Sequence, residues 1–416
     1  MRLLLLTHNP AGVGADYIRA VSLGREFAGA GHAVVLIATA PGLRALRPQG
    51  ASGGLRELWF RDPSPARLRR SGLSPLEVLR RTRYLARERF DVLIAFGHRP
   101  AVSFPALQAR RRTGAVYVGD WADLWGPGGI ADERTPALRF VMGKLDGWLE
   151  KRARMQADGL TVVSEHLVRL ARSWGIPQRR IHRTMAGADV VRIFPQPMQG
   201  LRRRHGIDLE AHILLYSGLS QYDRAQVVPV LAALAPLDPK ARLLVVGDSS
   251  KPWKVELLKH SLEDRLIHFP HVPHDQLGGV LACADVMLLP FPDRGLNQAR
   301  FPNRLGDYLA AGRPVVTNPT GEAERLVRQS GAGLLADPTA EAMAQSVLKL
   351  FDDRDLAIHL GRRGRQYAEQ VLAWPILAGQ MLQFLGTLAA RGSPGRSLDP
   401  GAGVESQAGT EPGGRS

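Results

Sequence analysis

A single cysteine, Cys283, occurs in the 416 residues of the chain. One thiol excludes a disulfide framework, and no group of cysteines and histidines has the spacing of metal ligands. Set within Leu-Ala-Cys-Ala-Asp, Cys283 reads as a small core residue. Long hydrophobic runs are also lacking. The four leucines after Met1-Arg2 give way at Thr7-His8-Asn9-Pro10, too short a stretch for a signal sequence or a membrane span. The expected location is therefore cytoplasmic, either free or peripheral on the inner face of the cell membrane. Acidic residues are scarce in the first half only. Through Pro197 there are 31 Lys and Arg against 16 Asp and Glu, whereas the remainder has 24 against 23, so almost all of the net charge of +16 lies in the first half. Such asymmetry calls for an anionic partner of that half, either a membrane surface or an acidic acceptor. The basic residues are not interleaved with aromatics and no recognition module is present, which sets nucleic acid aside.

With 44% apolar and 23% charged residues, the chain can bury two ordinary cores. Short β-branched or leucine-rich runs alternate with helical patterns throughout. Arg2 to Thr7 predicts a buried parallel strand and Asp16 to about Ala30 a helix. The intervening loop carries Gly12 and Gly14, whose backbone N–H groups can approach an anion or simply make a tight turn. It is not a dinucleotide fingerprint, because Tyr17 stands where a third glycine belongs. Further strands are expected at Asp91 to Phe96, Ala115 to Gly119, Leu160 to Val163, Ile213 to Ser217, Arg242 to Val246, Arg265 to Phe269 and Asp285 to Pro290. His98 follows the first of these at its C-terminal end. Asp120, Trp121 and Asp123 follow the second, and acids grouped with indoles suit a sugar acceptor or cap a loop.

Between residues 61 and 90 nine arginines face three acids. Ser74-Pro75-Leu76-Glu77 is a capping box, so a helix is expected from there to about Phe90, with Val78, Leu79, Thr82, Leu85 and Ala86 as its apolar face. Two readings stand for this segment: a solvated basic face, or a helix lying on an anionic membrane. Residues 190 to 200, with Pro195, Pro197 and Gly200, read as an inter-domain linker. The segment 391–416 is glycine-rich, has no apolar period and is expected to be disordered.

Residues 301 to 325, FPNRLGDYLAAGRPVVTNPTGEAER, organise the second half. A short helix closes on Gly312 and passes within two residues to the strand Val315 to Thr317, which is the αβ half of a doubly wound unit. Leu309 to Val316 resembles the Leu-Ala-Ala-Gly-x-Pro-Val-Val run of GT-B glycosyltransferases of family 4. Gly31-His32-Ala33-Val34, Gly187-Ala188-Asp189 with Phe194-Pro195, and Ala284 to Pro290 are similar to further passages of that family.

The resemblance implies two Rossmann-like, doubly wound parallel-sheet domains facing a central cleft. The first would span 1–189, with the linker at 190–200. The nucleotide-sugar domain would follow at 201–373, then a helix at 374–390 crossing back to the first domain. The implied activity is transfer of a sugar from a nucleotide-sugar donor to a glycan, lipid-linked or other acceptor in cell-envelope glycan biosynthesis, retaining and without an obligatory metal or other cofactor. In the family's Glu-x7-Glu signature the second acid, which holds the ribose, falls on Asp307 and the first on Ala299. The donor site implied comprises Gly12, Gly14, Gly218, Arg224, Asn303, Arg304 and Asp307, with Arg224 on the diphosphate and Leu219 where the family has an arginine. His98 and Arg224 are the implied catalytic residues, and Asp120, Trp121 and Asp123 the acceptor side. Ala299, Leu219 and Ala186 depart from the pattern and keep open a GT-B binding or scaffold protein without catalysis. A sugar-nucleotide epimerase or hydrolase is the third possibility.

Overall fold

The structure is a computed structural model that describes residues 1–42, 54–218, 221–247, 249–270 and 272–392. Leu219, aligned with an arginine of the family, and most of the segment 391–416, expected to be disordered, lie outside the described residues.

Seven parallel strands form the first sheet: β1 (Arg2–Pro10), β2 (Ala33–Thr39), β3 (Leu55–Phe60), β4 (Val92–Phe96), β5 (Val116–Trp121), β6 (Gly159–Val162) and β7 (Ile181–Arg183), in the order β3-β2-β1-β4-β5-β6-β7. Six parallel strands form the second: β8 (His212–Ser217), β9 (Ala241–Val246), β10 (Leu266–Phe269), β11 (Val286–Leu289), β12 (Val315–Thr317) and β13 (Gly333–Leu335), in the order β10-β9-β8-β11-β12-β13. Leu3 to Leu6 are wholly buried because helices cover both faces of the sheet, which is why β1 reads as an unbroken apolar run rather than an alternation. In each sheet the strand order reverses once, between β1 and β4 and between β8 and β11. A crevice opens at such a reversal because the loops on either side of it diverge. The short strands β3 and β13, at or next to an end of the sheet order, are additions to the expected set.

The final helix, Trp374–Gly392, returns to the first sheet. Its Met381, Leu385 and Leu388 share one buried cluster with Leu3, Leu5 and Phe27. The chain crosses where Ala188 N–H donates to Leu372 O at 2.8 Å, and a Cβ on Gly187 would overlap the Trp374 ring. Arg365 clips the linker by donating to the carbonyls of Val190 (2.9 Å) and Ile193 (2.7 Å).

The basic segment folds differently from expectation. Two helices, Ala66–Ser71 and Pro75–Leu85, replace one, and the second stops five residues before Phe90. Ser74 caps it by accepting from Glu77 N–H at 3.3 Å, but the Glu77 side chain is buried, where it pairs with Arg81 and accepts from Thr39 Oγ1 at 2.5 Å. Arg81 is wholly buried and donates to Thr7 O (2.8 Å) and Ala101 O (3.2 Å). The inward stripe is thus Glu77, Arg81 and Leu85, while Leu79, assigned from sequence to the apolar face, is exposed.

Candidate active site between the two sheets

In the second domain the crevice opens beside Gly218, just past the end of β8. The helix Asn303–Ala310 presents Arg304 and Tyr308, one turn apart, to this point. Tyr308 Oη accepts from Ser217 N–H at 2.8 Å, and the Arg304 guanidinium lies 4.7 Å from the Tyr216 ring centroid while donating to Tyr216 Oη. A Cβ on Gly218 would stand 2.8 Å from the Arg304 guanidinium, so the bare backbone is what lets this cation sit over the strand end. Gly218 and Arg304 are therefore brought together. Arg224 stands in the first turn of the helix Gln221–Leu234, and Asn303 is exposed as the first residue of its helix.

Asp307, three residues after Arg304 on the same helix, has other neighbours. It is partly buried, and its electrostatic partners are His274, at the start of the helix His274–Leu281, and Asp189 at the domain crossing. His274 Nε2 and Asp189 Oδ2 are 3.2 Å apart, and Arg192 Nη1 donates to the same oxygen at 2.8 Å. Burial pushes the Asp307 carboxyl up to about 6, with Asp189 adding to the rise and His274 opposing it. The hydrogen bond that His274 donates to Asp189 raises the imidazole above its ordinary range.

In the first domain the loops after β1 and β4 flank the reversal. Gly12 and Gly14 both adopt left-handed φ (81° and 94°), and a Cβ on Gly14 would lie 2.8 Å from Asn9 Cγ. Gly14 precedes the helix Ala15–Gly29, whose first turn holds Asp16. Asp16 Oδ2 is 3.4 Å from where a Cβ on Gly97 would be, and His8 closes the same corner. Burial, with the Asp123 and Asp120 carboxylates, lifts Asp16 to about 7. His98 is buried with neither ring nitrogen hydrogen-bonded among the described residues, and its ring meets Trp125 edge to face at 6.0 Å. Burial and the adjacent Arg99 and Arg154 hold His98 well below the ordinary imidazole range, so it is neutral.

Of the three residues assigned to the acceptor, two are structural. Asp120 is wholly buried and satisfied by Arg19 Nε at 3.0 Å, Arg19 Nη2 at 3.1 Å and Thr161 Oγ1 at 2.6 Å. Trp121 is wholly buried, stacks on Trp174 at 5.0 Å and donates from Nε1 to Glu150 Oε1 at 2.8 Å. Both belong to β5, which runs two residues beyond its expected end. Asp123 lies past the strand, partly buried. Burial raises its carboxyl and Arg300 of the second domain pulls it back, which places the two as electrostatic neighbours. Glu150 holds the loop in place by accepting from Trp125 N–H (3.1 Å) and Gly126 N–H (2.9 Å).

A cavity of about 380 Å³ lies between the domains, lined by Ile130, Glu133 and Arg134 on one side and by Gln226, Asn297 and Arg300 on the other. The walls touch beside it: a Cβ on Gly295 would overlap Gly128 O, and Ser164 Oγ donates to Ala299 O at 2.5 Å. Ala299 itself is wholly buried. Glu322 accepts from Glu165 N–H at 2.9 Å and pairs with Arg183 at 3.1 Å, and Arg325 meets Glu165 at 2.8 Å. Asp16 and Arg300 are further candidates that sequence reasoning missed. The signals available were an acid in the first helical turn after a glycine loop, and a cation one residue past Ala299.

Residues 18–187 match the family model "Glycosyl transferase 4-like domain" and residues 211–353 the model "Glycosyl transferases group 1". The chain belongs to these family 4-like glycosyltransferases, and its fold is GT-B. Among curated relatives, the GDP-mannose-dependent alpha-(1-6)-phosphatidylinositol monomannoside mannosyltransferase of Mycobacterium tuberculosis is 28% identical over 246 residues, 56% of this chain and 63% of that protein. The 2-deoxystreptamine glucosyltransferase of Streptomyces kanamyceticus is 26% identical over 228 residues, 53% of this chain and 58% of that one. The match thus spans less than two thirds of either relative. In fold, sucrose-phosphate synthase from Thermosynechococcus elongatus superposes with a TM-score of 0.78 at 20% identity, covering 94% of this chain and 99% of the other. An Anabaena protein solved with UDP and glucose gives 0.71 at 15%, covering 93% and 100%.

Proposed function

We propose that the protein transfers a sugar from a nucleoside-diphosphate sugar to a hydroxyl of a glycan or lipid-linked acceptor, with retention at the anomeric carbon and without a metal ion. The observation that carries this reading is the cationic wall at the end of β8, where Arg304 is seated over Gly218 with Arg224 in the first turn of the adjoining helix. As the sugar–phosphate bond breaks, negative charge develops on the leaving diphosphate. Fixed guanidinium groups and a helix N-terminus stabilise it without reorganising. Asp307 and Asn303 are assigned to the ribose side, and the glycine loop at 12–14 to the sugar side. His98, neutral and with both nitrogens unpartnered among the described residues, is suited to exchange hydrogen bonds with a sugar hydroxyl. Asp16 and Asp123 face the donor from the first domain and replace Asp120 and Trp121 as the acceptor-side groups.

Incubation with UDP-, GDP- and ADP-sugars, with and without small or lipid-linked acceptors and with a chelator present, tests the proposal. Nucleotide release that needs an acceptor and survives the chelator is the expected result. Release without acceptor would mean hydrolysis. Binding without release would establish the second reading, a GT-B binding protein, which is favoured by the buried Ala299 at the first acid position.

A further inference from the structure

The helix Pro136–Met155 follows directly on the turn that lines the inter-domain cavity. Its acids are turned inward. Asp146 is wholly buried against Arg99 (2.5 Å) and Arg134 (2.6 Å), and Glu150 is buried against the Trp121–Gly126 loop. The outward face consequently has no acid of its own. Along it stand Phe140, Leu145, Trp148 and Met155 with exposures of 66%, 41%, 57% and 45%. Lys144, Lys151 and Arg152 share that side, and residues three or four apart on a helix lie on one face. Lys144 Nζ is 4.1 Å from the Phe140 ring centroid, and Arg152 Cζ is 5.4 Å from that of Trp148. Arg139 is paired with Asp132 at 3.2 Å. Met155 also lines a depression of about 820 Å³ walled by Arg110, Arg111, Arg179, Arg180 and Arg391, in which Asp158, paired with Arg110, is the sole acid among the described lining residues.

We propose that this helix face is the surface by which the protein docks on an anionic phospholipid bilayer, with Phe140 and Trp148 in the interface and Lys144, Lys151 and Arg152 at phosphate level. The inference rests on the glycosyltransferase reading only for its purpose, which is to hold the cleft beside a membrane-borne acceptor. Aromatic rings bearing cations at their rims match the boundary between acyl chains and anionic headgroups. A second copy of the chain does not fit, because a symmetric contact through this face would set lysines and arginines against one another. The helix Pro75–Leu85 is the poorer candidate: Arg80 and Arg83 on it and Arg87 just beyond it are exposed, but Arg81 is internal and no aromatic ring stands on its outward face.

Co-sedimentation with phosphatidylcholine vesicles, with and without phosphatidylglycerol, decides the matter when nucleoside diphosphate affinity is titrated in parallel without vesicles. Parent protein should bind the anionic vesicles at low salt. The Phe140→Ser/Trp148→Ser variant should bind about tenfold more weakly or worse, and Lys144→Gln/Lys151→Gln/Arg152→Gln should lose the preference for phosphatidylglycerol, both with parental nucleotide affinity. Arg80→Gln/Arg83→Gln/Arg87→Gln should stay within about threefold of the parent. The proposal is overturned by a parent that stays in the supernatant, by a serine variant that binds like the parent, or by an Arg80/Arg83/Arg87 variant that loses as much as the lysine-face variant. Light scattering that shows a dimer dispersed by the serine changes would also overturn it. Nucleotide binding without vesicle binding removes this inference alone, whereas vesicle binding without nucleotide binding removes the enzymatic reading alone.

Discussion

The two walls of the cleft are built on opposite plans. The second-domain wall keeps its charge at the surface of the crevice: Arg304 is half-seated over Tyr216, and Arg224 and Asn303 stand at helix starts. The first-domain wall locks its charge inside. Arg19, Arg81, Arg99 and Arg154 are all nearly or wholly buried, each held by carboxylates or carbonyls or facing them, and toward the cleft stand neutral His98, carboxyls that burial pushes toward neutrality, and Arg134, which is tied to Asp146. The difference shows that net charge is a poor guide to the charge a ligand meets. The half of the chain with the large positive excess offers the cleft groups that can exchange protons beside one neutralised cation, Arg134, and the balanced half offers further permanent cations.

Changes in the two walls should therefore register in different measurements. The largest effect is expected from Asp120→Ala, which strands Arg19 in the interior. Breaking a buried pair from one side costs about 3–5 kcal/mol. Denaturant unfolding should show that loss, with nucleotide affinity per folded molecule unchanged. Arg304→Ala should do the reverse, weakening calorimetric binding of the preferred nucleoside diphosphate about ten- to a hundredfold, or about 1.5–3 kcal/mol, at parental stability. A loss of stability without loss of affinity in that variant would erase the distinction. Gly218→Ala should reproduce part of the same weakening by displacing the guanidinium.

A subtler effect is set by pH. Asp16 and Glu150 are pushed up to about 7 and Asp307 to about 6, chiefly by burial. These carboxyls bind protons more tightly folded than unfolded, so the stability they give is complete below their unfolded values near 4 and is lost as pH rises through 6 to 7. Thermal unfolding followed between about pH 5 and pH 8 should show stability falling, and Asp16→Asn should flatten the slope. Smallest of all, Arg325→Gln loosens a partly exposed pair with Glu165 between the walls and should cost no more than about 1 kcal/mol. A larger loss would mean that the two walls are not independent.

Much of the architecture was legible because buried parallel strands are short apolar runs and each helix carries its own period. The partition between interior and cleft was not. Asp120 and Trp121 looked like loop residues because β5 was expected to end at Gly119. Two more strand residues place both side chains between packed layers, and Asp123 alone clears the strand. Arg81 was counted with a basic surface because charge in a sequence implies exposure, yet Glu77 four residues earlier supplies the partner that lets it be buried. Asp307 sits at the motif position, but its electrostatic surroundings depend on His274 and Asp189, which come from two distant segments that no local pattern links. Arg304 and Gly218 were both named, while the close approach that joins them depends on the register of one helix against β8.

The return of the helix Trp374–Gly392 to the first sheet also governs how the protein is made. Leu3, Leu5 and Phe27 leave the ribosome early, yet the residues that cover them, Met381, Leu385 and Leu388, are synthesised after the whole second domain. Throughout that interval an apolar strip of the first domain stays uncovered, available to chaperones or to the wrong neighbour. A polypeptide truncated after the linker should therefore be aggregation-prone, and adding the peptide 374–392 in trans should improve its solubility.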